Sequence, residues 1–360
     1  MSDTSIMQGV YLTGHGGFEK LEFRDDIPRP EPAVGEVLIQ VGAAGINNTD
    51  INTRTAWYSK NVTTGTSDGG AGGFAESDDE DGSWAGEALK FPRIQGADCC
   101  GTIVVVGEGV DASRVGERVL VRAIQAETRD DSSFTCITIG SERDGGFAQY
   151  MSTPSVHALK IDCDWTDIEL ASVPCAYSTA EGMMHRACVG AETVLISGAS
   201  GGVGSAAVQL AKRRGARVIA ISSAAKADNV AEIGADQVID RNCDLVETLG
   251  QESVDVVVDL VAGPSWPAYL DVLKRGGRYV TSGAIAGPIV ELDVRTLYLK
   301  DLSFFGSTYQ GDEIFTNLVG YIERGEIKPI VAKTYPLKDI VAAQEDFLAK
   351  KFTGKLVLVP

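Results

Sequence analysis

Histidine is scarce in this chain, with only His15, His157 and His185 among 360 residues. None has the partner spacing of a metal site or a Ser-His-Asp arrangement, which leaves histidine-based zinc or triad chemistry little to work with. Cysteine is present but unpaired in pattern. Cys99, Cys100, Cys136, Cys163, Cys175, Cys188 and Cys243 are odd in number and form no Cys-x-x-Cys pair. That reads as free thiols rather than a disulfide framework. No apolar run approaches the length of a membrane span. MSDTSIMQGV at the start lacks the basic and apolar regions of a signal peptide, so a cytoplasmic location is expected. Positive charge is also short, with 32 basic against 50 acidic residues and a net charge of -18. Nucleic acid and anionic membranes should therefore be repelled and are not expected as partners. Any phosphate must be held locally, by backbone amides or a few basic side chains.

What is present is an ordinary globular mixture, 44% hydrophobic and 23% charged, in a chain long enough for two domains. Up to about Val156 the sequence reads as short strands broken by glycine, such as VLIQVGAAGI, GTIVVVGEGV and ERVLVRAI, which predicts a β-rich, barrel-like domain. Two segments interrupt it. Ser59 to Gly86 is rich in Gly, Ser, Thr and acids, and is expected to be a mobile surface loop. Gln125 to Gly146 is a second excursion. From about Ala191, six apolar strands alternate with helices, the pattern of a doubly wound parallel sheet that binds its ligand at the strand C-termini. The terminal GKLVLV is expected to rejoin the first domain as a strand.

The most informative segment is LISGASGGVGSAAVQLAKRRGARVIAISS, from Leu195. Ser200, Gly201, Gly202, Val203 and Gly204 fall between a buried strand and an amphipathic helix. Missing Cβ atoms there let the backbone approach a pyrophosphate, and the helix start offers free amides and a positive dipole end. The following strand ends in Ser222 and Ser223, with Lys226 close behind and Arg241 after the third strand. The ribose-binding acid of NAD sites is missing from that tip. Hydroxyls and cations suit a 2′-phosphate, so the expected cofactor is NADP(H).

The ordered landmarks GINNTD at Gly45, QGADCCG at Gln95, VGERV at Val115, GGFAQY at Gly145, PCAYSTA at Pro174, GASGGVG at Gly198 and the closing GKLVLV span nearly the whole chain. In these the chain resembles the medium-chain dehydrogenase/reductase superfamily, and within it the quinone oxidoreductase (zeta-crystallin-like) branch. The resemblance implies an α/β protein with a GroES-like β-rich catalytic domain, residues 1–160 and 308–360. A Rossmann nucleotide-binding domain, residues 161–307, would be inserted into it. It also implies a homodimer or homotetramer. Where zinc-dependent relatives place a cysteine and a Gly-His-Glu, this chain has Asn47 and Gly96-Ala97-Asp98, leaving Cys175 alone at the third position. One thiolate does not make a catalytic zinc site, which needs about three protein ligands. The excursion from Gln125 occupies the place of the structural zinc lobe with only Cys136, so no metal is expected.

Without zinc, hydride transfer from NADPH to a quinone or an α,β-unsaturated carbonyl is the implied reaction, and the developing oxyanion needs donors. Asn47, Asp50 and Tyr58 are the candidate catalytic residues. Asn47 would be an amide donor, Asp50 an acid with a structural role at least equally expected, and Tyr58 a donor in the cleft. Thr179 matches a threonine near the nicotinamide, while Val261, Ser282, Gly283 and Ala284 lie at strand ends that should line the cofactor cleft. Two alternatives stand beside this reading. One is an alcohol or aldehyde oxidoreductase with an atypical zinc site. The other is a non-catalytic NADPH-binding protein.

Overall fold

The computed structural model describes residues 5–128 and 134–360. Two main sheets organise it. The first runs, in spatial order, Ala158–Lys160, Arg118–Val121, Cys100–Val106, Glu36–Gly45, Lys355–Val359 and Val331–Pro336, with Tyr150–Pro154 also paired to Glu36–Gly45. Short strands punctuated by glycine can bend around a single core, and the Val, Ile and Leu side chains of these strands fill it. The closing strand Lys355–Val359 pairs antiparallel with Glu36–Gly45 through Val357 and Leu358. This pairing carries Lys355 from the far end of the sequence into the centre of the molecule.

The second sheet has six parallel strands in the order Gln237–Asp240, Arg217–Ser222, Thr193–Ile196, Val254–Asp259, Leu273–Thr281 and Ser303–Gly306. Its central strands are buried on both faces, which is why they read as continuous Val/Ile runs. The strand order reverses beside Thr193–Ile196, so the crevice at its C-terminal end is open for a ligand. The GroES-like and Rossmann layers expected from the sequence are both present.

The two excursions differ from one another. Ile124–Thr128 and Phe134–Thr138 form an antiparallel pair, and residues 129–133 between them lie outside the described residues. Residues 59–86 contain no helix or strand, yet they are seated rather than loose, which corrects the expectation of a mobile surface loop. Arg54, fully buried, donates to the carbonyls of Gly16 (2.7 Å) and Gly70 (2.6 Å) and to Gln344 Oε1 (2.9 Å). Thr66 N donates to Ile285 O (3.1 Å), tying the segment to the nucleotide domain. Composition misled here because a buried guanidinium and backbone amides, with Val62 and Phe74 the buried large apolar side chains, anchor the segment.

Candidate active site

The helix Asn48–Thr55 starts at Asn47, whose backbone N–H donates to Asp50 Oδ2 (2.7 Å). Asp50 Oδ1 accepts from Ala97 N (3.2 Å). Burial pushes the Asp50 carboxyl up to about 7, against the opposing pull of the Asn47 amide. Both oxygens of Asp50 are thus spent on fixing the GINNTD turn against the strand that carries Ala97 and Asp98.

Behind this turn four residues close on one another. Lys355 Nζ lies 2.8 Å from Asp98 Oδ2 and donates to Asn47 Oδ1 (2.5 Å). Asn47 Nδ2 donates to Asp98 Oδ2 (2.8 Å) and to Gly45 O (3.3 Å). Asp98 Oδ1 accepts from Cys175 N (2.6 Å) at the start of the helix Pro174–Arg186. Asp98 is 0% and Lys355 4% exposed at the side chain, so this is a desolvated ion pair. A Cβ on Gly45 would stand 2.5 Å from Asp98 Oδ2, so the node depends on glycine at that position. This geometry corrects the expected role of Asn47. Both of its amide hydrogens and its carbonyl oxygen are engaged within the protein, leaving no donor for a substrate. Cys175 remains a protonated thiol, its ionisation opposed by burial and by Asp98. Among the described residues no group of three or more His, Cys, Asp or Glu side chains is placed to hold a metal ion.

The glycine loop fits a dinucleotide on structural grounds. Gly198 has φ +60°, and a Cβ on Gly204 would stand 2.2 Å from Gly198 O and 2.7 Å from Ala199 Cα, so helix and loop are packed to backbone contact. The helix Gly202–Arg213 begins at this loop, and its first amides have no carbonyl within the helix to bond. Ser200 and Val203 flank the turn, and Ser200 O accepts from Gly354 N (3.1 Å), beside Lys355. Gly202 faces the same lysine, since its Cβ would stand 2.9 Å from Lys355 Cδ. One side chain therefore touches both the nucleotide loop and the Asn47–Asp98 node.

At the far end of the crevice Ser222 is buried and its hydroxyl has no partner. Ser223 follows it, and Arg241 is fixed by its backbone N–H to Ser222 O (2.9 Å). Lys226 Nζ donates to Phe352 O (2.8 Å), and burial together with the Arg241 charge lowers its pKa. Lys350 joins them. It stays exposed to water, and partial desolvation by neighbouring groups with the Lys226 charge pushes it down to about 8. An acid does stand close by: Asp240, on the neighbouring strand, is level with Ser222. Its oxygens accept from Ala224 N (3.0 Å), Asn242 N (2.8 Å) and Asn242 Nδ2 (2.9 Å), so backbone and amide donors occupy it.

A cavity of about 630 Å³ lies where the segment after the helix Asn48–Thr55 faces the strand ends Leu273–Thr281 and Ser303–Gly306. Trp57, Tyr58 and Trp84 form one wall, Thr135 and Cys136 another, and Thr281, Ser282, Gly283, Ala284, Ser307 and Thr308 the nucleotide-domain side. Tyr58 OH donates to Thr49 Oγ1 (3.1 Å), and desolvation keeps the phenol protonated. Val261 N donates to Asp259 Oδ1 (2.9 Å), fixing the strand end beside this cavity. Thr179 is buried next to Cys175, one turn along the helix Pro174–Arg186. Sequence reasoning missed Lys355, Lys350, Trp57 and Trp84. Lys355 had a signal, a lone cation opening an apolar strand. Trp57 had one as well, its place next to Tyr58, whereas Lys350 and Trp84 had none, because they come from segments distant in sequence.

Comparison with known proteins agrees with this fold. The alcohol dehydrogenase GroES-like domain model matches residues 33–163, and the zinc-binding dehydrogenase model matches residues 202–324. The quinone oxidoreductase of Lama guanicoe is 29% identical over 371 residues, covering 98% of each chain. The acryloyl-coenzyme A reductase of Metallosphaera sedula is 28% identical, covering 98% of this chain and 99% of its own. Among solved structures, a candidate alcohol dehydrogenase of Sinorhizobium meliloti 1021 is 46% identical with a TM-score of 0.87, covering 100% of this chain and 98% of its own. A thermostable alcohol dehydrogenase of Pyrobaculum aerophilum, 29% identical with a TM-score of 0.80 over 99% of this chain and 100% of its own, was solved with cobalt and zinc bound.

Proposed function

The chain belongs to the medium-chain dehydrogenase/reductase superfamily, and from that premise we propose that it is an NADPH-dependent reductase of quinones or α,β-unsaturated carbonyls that works without catalytic zinc. One observation carries the reading. The buried ammonium of Lys355 sits among Asn47, Asp98 and Cys175, neutralising the carboxylate that a metal would otherwise need. Ala97 brings no ligand, and Cys175 stays protonated. A divalent cation would have to displace an ion pair already satisfied on every side.

The bound nicotinamide supplies the hydride. The protein positions the acceptor and handles the charge that develops on its oxygen. Asn47 and Asp50 act as positioning residues that hold the turn leading into Tyr58. The Tyr58 phenol lines the cavity, stays protonated, and is the donor assigned to the substrate oxygen once its one hydrogen turns away from Thr49, whose own hydroxyl can then donate to the phenol oxygen. Ser282, Gly283 and Ala284, with Val261 and Thr179, line the nicotinamide end. At the adenosine end, the unpartnered Ser222 hydroxyl and the Lys226, Arg241 and Lys350 cations, with Ser223, favour a 2′-phosphate over a bare ribose. The exposed apolar residues Ile289, Val294, Tyr298 and Leu299, beside the edge strand Ser303–Gly306, support assembly as a homodimer or homotetramer, which light scattering tests. No helix among the described residues is long and apolar enough to cross a membrane.

The deciding experiment follows reduced-nucleotide oxidation against a quinone, an enone and an aldehyde, with and without chelator, alongside metal analysis. Chelator-insensitive turnover of quinone or enone with NADPH preferred is the expected result. Stoichiometric metal, with chelator-sensitive turnover of the aldehyde alone, overturns it in favour of a metal-dependent alcohol dehydrogenase.

A further inference from the structure

The substrate cavity has an uneven composition. Three aromatic rings form its outer wall, with ring centroids 5.8 Å apart for Trp57 and Tyr58 and 5.2 Å for Tyr58 and Trp84, each pair edge-to-face. Trp57 is fixed by its indole N–H to Thr64 O (3.0 Å), and Trp84 by its backbone N–H to Ser141 Oγ (3.4 Å). The remaining surface is hydroxyl, thiol and backbone. Among the described lining residues Glu87 is the only aspartate, glutamate, lysine, arginine or histidine. Its backbone is held by a local turn in which Glu87 N donates to Ser83 Oγ (3.0 Å) and Ser83 N to Glu87 O (3.3 Å), and its carboxylate is exposed to water.

The geometry points to a charge filter. The Trp57–Tyr58–Trp84 wall and Glu87 select planar carbonyl acceptors that are neutral or carry a cationic substituent, and they reject acceptors bearing an anionic group. This rests on the reductase reading and narrows it to a substrate class. Ring faces carry negative potential and attract cations, and they stack on flat neutral rings without needing charge. An anion entering the cavity meets those faces, a carboxylate side chain and the field of a chain with a net charge of -18; none of the described lining residues is a cation, and Arg122 and Arg186, whose charges reach Cys136, are bonded to Asp312 and to the Tyr309 carbonyl. The basic side chains assigned above stand at the other end of the crevice, where they would be occupied by the cofactor phosphate. By the same argument, acyl-coenzyme A substrates, which carry several phosphates, do not suit this entrance.

The test uses the full chain and three probes sharing one ring system: naphthoquinone, its sulfonate, and an analogue bearing a trimethylammonium group. Binding is read by quenching of tryptophan fluorescence in the presence of oxidised cofactor, and turnover by oxidation of reduced cofactor. Glu87→Gln and Glu87→Lys are compared with Glu31→Gln, an exposed acid elsewhere that controls for net charge. At low salt the native chain should bind the sulfonate most weakly. The sulfonate-to-naphthoquinone affinity ratio should rise about fivefold in Glu87→Gln and about twentyfold in Glu87→Lys, as expected for one charge near a partly solvated site. High salt should shrink both effects, and Glu31→Gln should change neither. Trp84→Leu should weaken the trimethylammonium probe most, naphthoquinone less and the sulfonate least, because the ring face attracts a cation, stacks on a neutral ring and opposes an anion. Equal ratios in native, Glu87→Gln and Glu87→Lys proteins, or an equal shift in Glu31→Gln, overturn the filter. A chain that shows the charge order in binding but reduces no probe keeps the filter and removes the reductase reading. One that reduces naphthoquinone with no charge order does the reverse.

Discussion

The two ends of the crevice handle charge in opposite ways, with a buried ion pair at one and cations open to water at the other. At the catalytic end, Asp98, Lys355 and Asn47 satisfy one another completely, and Cys175 N completes the Asp98 carboxylate. At the adenosine end, Ser222 has a buried hydroxyl with no partner, while Lys226, Arg241 and Lys350 crowd like charges together. Buried polar groups are normally paired, so a closed network argues for structure and an open one for a ligand that completes it. A family motif marks both ends alike, and only the state of the hydrogen bonds separates them.

The comparison breaks first at Lys355. Lys355→Met leaves the Asp98 charge buried and without its counter-ion, and should destabilise the fold by about 3–5 kcal/mol, read from the denaturant midpoint. Adding Asp98→Asn should recover much of that loss. A cost near zero for Lys355→Met would mean that the node is not closed as described.

The glycine loop comes next. A methyl at Gly204 overlaps Gly198 O. Gly204→Ala should therefore cost about 1–3 kcal/mol in local packing, seen as a loss of nucleotide affinity. Calorimetric titration should find NADPH and NADH weakened alike, because the pyrophosphate is common to both.

At the open end the two nucleotides should part. The double substitution Lys226→Ala and Arg241→Ala is expected to weaken NADPH about tenfold or more while leaving NADH within about twofold, as for charge-assisted bonds in a partly solvated site. Equal losses for both nucleotides would remove the 2′-phosphate assignment. Asp240 sharpens the same experiment. If it were the ribose acceptor, Asp240→Asn would weaken NADH more than NADPH.

The smallest effect is a pH dependence. Lys350 is exposed to water, but the protein groups crowded around it and the Lys226 charge lower its pKa to about 8, so it carries its proton below pH 8 and loses it above. Only the charged form attracts a phosphate. NADPH affinity should therefore fall as pH rises through 8, by up to about tenfold per unit, as one-proton linkage sets. NADH affinity should stay flat across the same range. Lys350→Met should abolish the slope, and a slope that persists in that variant would assign it to another group.

Much of the architecture was legible in the chain because periodicity survives folding. Alternating strand and helix runs from Thr193 to Gly306 gave the parallel sheet, and the glycines at 201, 202 and 204 marked its ligand loop. Asn47, Asp50 and Tyr58 were found by motif, but only Tyr58 reaches the cavity. The acidic segment from Ser59 was misread because its anchors, Arg54 and the carbonyls of Gly16 and Gly70, leave no trace in hydropathy. Trp84 reaches Tyr58 through that same segment, so the full cavity wall could not be foreseen either.

By itself, then, the sequence determined the layers, the order of strands, the glycine loop and the absence of an ordinary zinc ligand set, because each is written in neighbouring residues or local periodicity. Only the tertiary structure decided which polar groups are satisfied. Lys355 meets Asn47 across 308 residues, and Lys226 meets Phe352 across 126. Whether a buried charge is neutralised or waits for a ligand depends on such distant partners, and no local pattern encodes them.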